Sequence, residues 1–212
     1  FFTDKGKVYM RKAYNIPEAG RNAKGTNIVN IIGTEPGEKI SEILSVDNFD
    51  NADERYLTMV TAKGIIKRSK LSEYEYQLQK GKRAISLDED DEVVRVLLTD
   101  GGSDIMIATA GGYANRFRED DARCMGRTSR GVRGIRLREG DRVVGALTVE
   151  EGKKLLTLTE KGFGKPTEFS EYRTMANRGS QGFICHNISE KTGRLIGIAA
   201  VCDSDDIMVI TD

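Results

Sequence analysis

At 212 residues the chain can build one large β domain or two ordinary ones, and its 33 Lys plus Arg against 33 Asp plus Glu leave no net charge to point at an anionic partner. No apolar run reaches the length of a membrane span and no basic-plus-apolar leader opens the sequence, whose abrupt start at Phe1 reads as a cut end. Cys124, Cys185 and Cys202 form no CxxC pair and leave an odd one over, a pattern of reduced, buried thiols in a cytosol rather than a disulfide framework.

In chain order the first recurring element is an apolar strand that ends in threonine, at Thr3, Thr61, Thr109, Thr159 and Thr211. The spacings of 58, 48, 50 and 52 residues mark a repeat of propeller length. Three residues after each of the first four stands a glycine, Gly6, Gly64, Gly112 and Gly162, so that "LTMVTAKGIIKRS" reads as a hairpin around a turn of positive φ.

A second glycine follows in every copy, at Gly25, Gly81, Gly131 and Gly182, with apolar residues four and six positions on: Val29 and Ile31, Ile85 and Leu87, Ile135 and Leu137, then His186 and Ile188. That alternation predicts a half-buried strand. A further strand closes each copy, as "KISEILSV", "EVVRVLLT", "RVVGALTV" and "RLIGIAAV". Helical periodicity is weak, with at most a short turn at 172–177. The expectation is an all-β fold of four-stranded blades, in copies 1–56, 57–104, 105–153 and 154–206, with 207–212 opening another.

Charge is sorted within each copy. Basic residues gather between the first glycine and the strand after the second, most densely as Arg116, Arg118, Arg123, Arg127, Arg130, Arg133, Arg136 and Arg138. Acids collect in connectors such as "DEDDE" at 88–92, "EEG" at 150–152 and "DSDD" at 203–206. Recurrence at one place in successive copies predicts a continuous basic rim, an electrostatic track for a phosphate backbone. With no helix-turn-helix, no zinc-finger spacing and few interleaved aromatics, the contacts expected are to phosphates of curved duplex DNA rather than to bases.

Catalytic sets are missing. His186 occupies the slot of Val29, Ile85 and Ile135 and is expected in the core, and "DEDDE" lacks the spaced acceptors of a calcium loop and reads as a solvated connector. "GFGKPT" fails the Walker pattern, which needs glycine where Thr159 stands. A propeller that scaffolds proteins is the competing class, against which stand the absence of Trp and the basic loops.

The copies "GKVYMRKAYNIPEAGRNAKGTNIVNI" and "ARCMGRTSRGVRGIRL" resemble the C-terminal domain of bacterial DNA gyrase A, whose relative in topoisomerase IV is built alike. The likeness spans the whole chain. It implies a six-bladed β-pinwheel with strand exchange between blades, of which 1–212 would be a single domain truncated at both ends, holding about four full blades and part of the closing ones. It implies wrapping of double-stranded DNA around a basic perimeter without sequence specificity, in support of ATP-dependent negative supercoiling, or of decatenation if the topoisomerase IV kinship is the nearer.

By repeat position the resemblance makes Lys7, Arg11, Lys24, Lys67, Arg68, Lys82, Arg116, Arg130, Arg133 and Lys165 the phosphate-contacting set, with no catalytic residue and no metal site. It places the DNA-cleaving tyrosine in an upstream domain and leaves ATP and Mg2+ to the holoenzyme, so no cofactor is expected in this domain. The implied partners are the rest of gyrase A, together with gyrase B, in an A2B2 assembly in the bacterial cytoplasm at the nucleoid, with no membrane. The family's box Q-R-R-G-G-K-G is absent, its nearest segment being "NRGSQGF" at 177–183.

Overall fold

Each hairpin turn is closed by its own threonine and glycine. In the computed structural model, which describes residues 1–76 and 80–209, the amides of Gly6, Gly64, Gly112 and Gly162 donate to the carbonyls of Thr3, Thr61, Thr109 and Thr159 at 2.9–3.0 Å. The threonine hydroxyls accept from the next amides, those of Lys7, Ile65, Tyr113 and Phe163, at 3.2–3.4 Å. All four glycines sit at φ of 74–80°, a region costly to any residue with a Cβ.

The turns join Phe2–Thr3 to Lys7–Val8, Tyr56–Thr61 to Ile65–Lys70, Asp104–Thr109 to Tyr113–Arg118 and Lys154–Thr159 to Gly164–Glu168, all antiparallel. A third strand pairs on the other side of each first strand: Ile40–Glu42, Val93–Thr99, Val143–Thr148 and Leu195–Val201. These four pack on one another in succession.

The fold is all-β, but a blade is not one copy of the repeat. The outermost strand of each of the first three sheets comes from the following copy: Lys82–Arg83 pairs with Lys7–Val8, Val132–Arg133 with Ile65 and Ile66, and Phe183–Ile184 with Tyr113 and Ala114. The copies 57–104, 105–153 and 154–206 each hold four strands, as expected, and each hands one of them to the sheet before it, which is the strand exchange that the resemblance implies. Its anchor is the first glycine, whose carbonyl accepts two amides of the incoming segment: Ala84 and Ile85 at Gly6, Gly134 and Ile135 at Gly64, Cys185 and His186 at Gly112.

Alternation along one strand feeds two cores. Leu57 and Met59 enter the first, which also holds Phe2, Tyr74, Ile85 and Val96, whereas Val60 enters the second with Ile66, Phe117 and Ile135. Ile105 and Ile107 likewise face the second core while Met106 and Ala108 face the third, beside Leu155, Phe169 and Leu195. Strands sandwiched between neighbours are therefore buried on both faces, and successive sheets cannot separate without exposing apolar surface.

Two local expectations change. The alternating residues after the second glycine follow a strand of only two residues, with Ile85 and Ile135 buried just beyond its end. In the first copy that segment is not a strand at all: Ile28–Ile32 is a short α-helix, capped by the Asn27 side chain on the Val29 amide at 3.1 Å and by Gly33 at φ 66°. Val29 is exposed and Ile32 buried there. The short turns are 3-10 segments at Ala13–Asn15, Leu71–Tyr74, Glu119–Asp121 and Phe169–Glu171, ahead of the expected 172–177. Thr211 lies outside the described residues.

A Cβ at Gly64 would stand 2.8 Å from the Ile135 carbonyl oxygen as well as requiring φ of 80°. Gly64→Ala should therefore lower unfolding stability by about 2 kcal/mol or more, read from the urea midpoint at constant m-value. A change within about 0.5 kcal/mol would show that the exchanged segment tolerates displacement.

Candidate nucleic-acid interface

A two-residue strand offers one side chain to each face, and the rim strands keep the same register. Lys82, Val132 and Phe183 lean inward and are half-buried, whereas Arg83, Arg133 and Ile184 point outward and are exposed. The Lys82 ammonium lies 6.0 Å from the centre of the Tyr76 ring. Arg130 is exposed and pairs with Asp88, and the Arg127 guanidinium donates to the Arg83 carbonyl. Lys80, Arg83, Arg123, Arg133 and Arg136 are exposed and have no salt-bridge partner among the described residues.

Of the ten residues assigned by repeat position, Lys24, Arg130, Arg133 and Lys165 are exposed and Lys82 is half-buried at the rim. The other five are held by partners within the chain: Lys67 and Arg68 are buried, which corrects their placement on the outer surface, whereas Lys7, Arg11 and Arg116 are half-buried. Lys7 pairs with Glu35 at 2.5 Å and Glu38 at 3.5 Å, and the Glu35 hydrogen bond raises its pKa. Arg11 donates to the Ile31 and Ile32 carbonyls at the end of the short helix, at 3.0 and 3.3 Å. Arg116 pairs with Asp104 at 2.8 Å and donates to the carbonyls of Phe169 and Tyr172 at 2.9 Å each, tying the third sheet to the next copy.

Lys67 is wholly buried, its amino group donating to the carbonyls of Ala84, at 2.5 Å, and Arg127. Burial, with the Arg127 charge second, lowers its pKa to about 7. Two donated hydrogen bonds suit a neutral amine, which has two N–H groups. Arg68 next to it stacks on Tyr56, 4.5 Å from the ring centre, and meets the buried Glu119 carboxylate at 3.3 Å. Burial raises the Glu119 pKa despite this partner.

One cause accounts for both. The strand Ile65–Lys70 is covered along its outer edge by Val132–Arg133 and by the segment that puts the Met125 amide on the Arg68 carbonyl at 2.8 Å. Arg116 is covered in the same way by Met175, at 2.7 Å. Lys80, Arg83, Arg123 and Arg136, which the assignment by repeat position leaves out, are exposed. The signal for Arg83 was present, since Arg83 and Arg133 both stand two positions after the second glycine.

Other sequence features are structural. Asp91 of "DEDDE" is buried rather than solvated and accepts from the amides of Lys63 and Glu92 at 2.9 Å, clamping a hairpin turn, as Asp141 does for Gly111 at 2.8 Å. His186 is half-buried and its Nδ1 meets the Thr157 hydroxyl at 2.8 Å; burial lowers its pKa, with Lys165 adding to the effect. Of the cysteines, only Cys185 is buried, its pKa pushed up to about 12 by that burial, while Cys124 is exposed and Cys202 half-exposed, contrary to a common core role. Among the described residues no group of His, Cys, Asp and Glu could hold a metal ion, and no helix is long and apolar enough to cross a membrane.

The family model described as DNA gyrase C-terminal domain, beta-propeller, matches residues 1–47, 55–100, 103–150 and 153–202. The chain belongs to this family. It is 53% identical over 212 residues to the DNA gyrase A protein of Clostridium acetobutylicum, covering 100% of this chain and 25% of that relative. The chain thus spans about a quarter of the length of the curated relatives it matches. Among solved structures it resembles the C-terminal domain of DNA topoisomerase IV, with TM-score 0.86 and 29% identity over 96% of this chain and 63% of that one. It also resembles a DNA gyrase A C-terminal domain, with TM-score 0.82 and 28% identity over 95% and 64%. The gyrase C-terminal fold, with its exchanged rim strands, is the frame on which the basic side chains above are carried.

Removing Arg68 would strand the Glu119 carboxylate in the interior. Arg68→Ala should cost about 3 kcal/mol of stability at pH 7 and less at pH 5, because a raised pKa makes protonation of Glu119 easier as pH falls, measured by urea unfolding. An equal loss at both values would show that the charge of Glu119 is not at issue.

Lys67 has the opposite linkage. An amine neutral in the fold and charged once unfolded gains a proton on unfolding, so its contribution favours the folded state increasingly as pH rises above about 7 towards its unfolded value. Between pH 7 and about 8.5, where the other titrating groups are common to both proteins, wild type should gain stability relative to Lys67→Met. A constant difference across that range would mean that the ammonium stays charged when buried.

Proposed function

We propose that the chain binds double-stranded DNA along its outer strands and curves it, as the DNA-wrapping module of a type II topoisomerase of the gyrase kind. The observation that carries this reading is the outward arginine repeated at one register of consecutive rim strands, Arg83 and Arg133, with Lys80, Arg123 and Arg136 exposed beside them. Although the chain carries no net charge, these exposed cations without salt-bridge partners among the described residues lie on or beside consecutive rim strands. The longest α-helix among the described residues is five residues, so none of them forms a recognition helix for the major groove, and the rim can address phosphates but not base edges.

Bending a duplex of 20–30 base pairs costs on the order of several kcal/mol, and many distributed phosphate contacts offset it. In this reading the chain makes and breaks no covalent bond. Strand cleavage belongs to the remainder of gyrase A, and ATP turnover, with Mg2+, to gyrase B in an A2B2 assembly in the bacterial cytoplasm. Wrapping at the rim then biases strand passage towards negative supercoils. The identity to gyrase A favours this over decatenation, for which the likeness to the topoisomerase IV domain speaks.

The test is energy transfer between the ends of a linear duplex of about 40 base pairs, of the length for which bending is costly, titrated with the chain at several salt concentrations. Transfer should rise on binding and fade with salt, and Arg83→Glu with Arg133→Glu should reduce the log–log salt slope by about 2, near 0.9 per phosphate contact. Binding that ignores salt, or is unchanged in the double variant, would overturn the reading.

A further inference from the structure

The rim is not uniform. Counting two residues from the second glycine gives Arg83 on the first sheet, Arg133 on the second and Ile184 on the third, all at the same outward register. Ile184 is 58% exposed, so it is not a core residue that happens to lie at an edge. Its inward neighbour Phe183 stacks on Tyr172 with ring centres 5.1 Å apart, which seats the strand firmly and fixes which side chain faces out.

The surroundings follow the same gradient with the exception of Arg138, which stacks 3.3 Å over the Tyr113 ring and donates to the Gln181 carbonyl at 3.0 Å. Lys24, Lys80 and Arg130 precede the second glycine in the first three copies, and Gln181 stands there in the fourth. Arg178, the nearest cation before this strand, is half-buried and donates its guanidinium to the carbonyls of Asp121 and Arg133 at 2.9 Å, bound to the preceding blade. Lys165 does not continue the track, because it stands on the second strand of the fourth hairpin, at the position that Lys67 occupies in the second. An exposed isoleucine donates nothing to a phosphate and would strip water from one held against it.

The geometry points to a track of limited arc: duplex DNA is held across the rim strands Lys82–Arg83 and Val132–Arg133 and leaves the perimeter at Phe183–Ile184, where Ile184 marks the exit. This rests on the DNA-wrapping reading above and adds to it where the contact ends. The arc, and with it the bend, is set by a single residue type at one repeated position.

The experiment compares the full chain, Ile184→Arg and Ile184→Gln for affinity to a linear duplex as a function of salt, with hydroxyl-radical footprints of each complex and urea midpoints to establish folding. Ile184→Arg should bind several-fold more tightly, steepen the salt slope by about 0.9 and lengthen the footprint, whereas Ile184→Gln should leave slope and footprint as in wild type. If wild type binds with a salt-dependent footprint but Ile184→Arg matches it in slope and length, the limited arc is wrong and the wrapping reading stands. Equal gains in Ile184→Gln and Ile184→Arg would also overturn it, since charge would then not decide the exit. Absence of any salt-dependent binding by wild type would remove both.

Discussion

The carbonyl of the first glycine in each copy holds two amides of the copy that follows, and the rest of the architecture depends on that contact. Gly6, Gly64 and Gly112 can offer it because their positive φ turns the carbonyl out of the hairpin and because no Cβ blocks the approach. The threonine three residues earlier prepares the site, binding the turn from inside through both its carbonyl and its hydroxyl. A two-residue strand is too short to be stable by itself, yet anchored in this way it completes a sheet.

Exchange of the rim strand then sorts the charges. In an isolated hairpin Lys67 and Arg68 would sit on a solvent-facing edge, since strand edges are natural places for cations. Once Val132–Arg133 is laid along that edge, both are enclosed, and each needs a partner: carbonyls for Lys67, Glu119 and the Tyr56 ring for Arg68. These enclosed cations link one blade to the next, as do the Arg116 hydrogen bonds to Phe169 and Tyr172. Arg83 and Arg133 of the incoming strands remain exposed, so the element that locks two blades together also presents charge.

Such a division suits a partner that must be bent. A curved duplex pulls outward on the perimeter, and the exposed arginines sit on segments tied by backbone hydrogen bonds to the neighbouring blade rather than on free loops. Three cores fed by alternate residues of shared strands make relative movement of the blades expensive in apolar exposure. The frame is therefore stiff where DNA would load it.

The repeat was legible in the sequence because it rests on local chemistry. Threonine and glycine three apart form the same turn in all four copies, and the strands on either side follow from their apolar content. The helix at Ile28–Ile32 was also legible in principle, between Asn27 and Gly33, but the alternation borrowed from the other copies outweighed those caps. What the sequence could not decide was which basic residues face water. Lys67 and Arg133 are both cations in basic strands near a glycine, and only the pairing of Val132 with Ile66 shows that one segment covers the other's strand. Turns depend on neighbours in the chain, whereas burial depends on neighbours in space. The repeating hairpins were thus determined by the sequence alone, and the outward register of Arg83, Arg133 and Ile184 was decided by the tertiary exchange of strands.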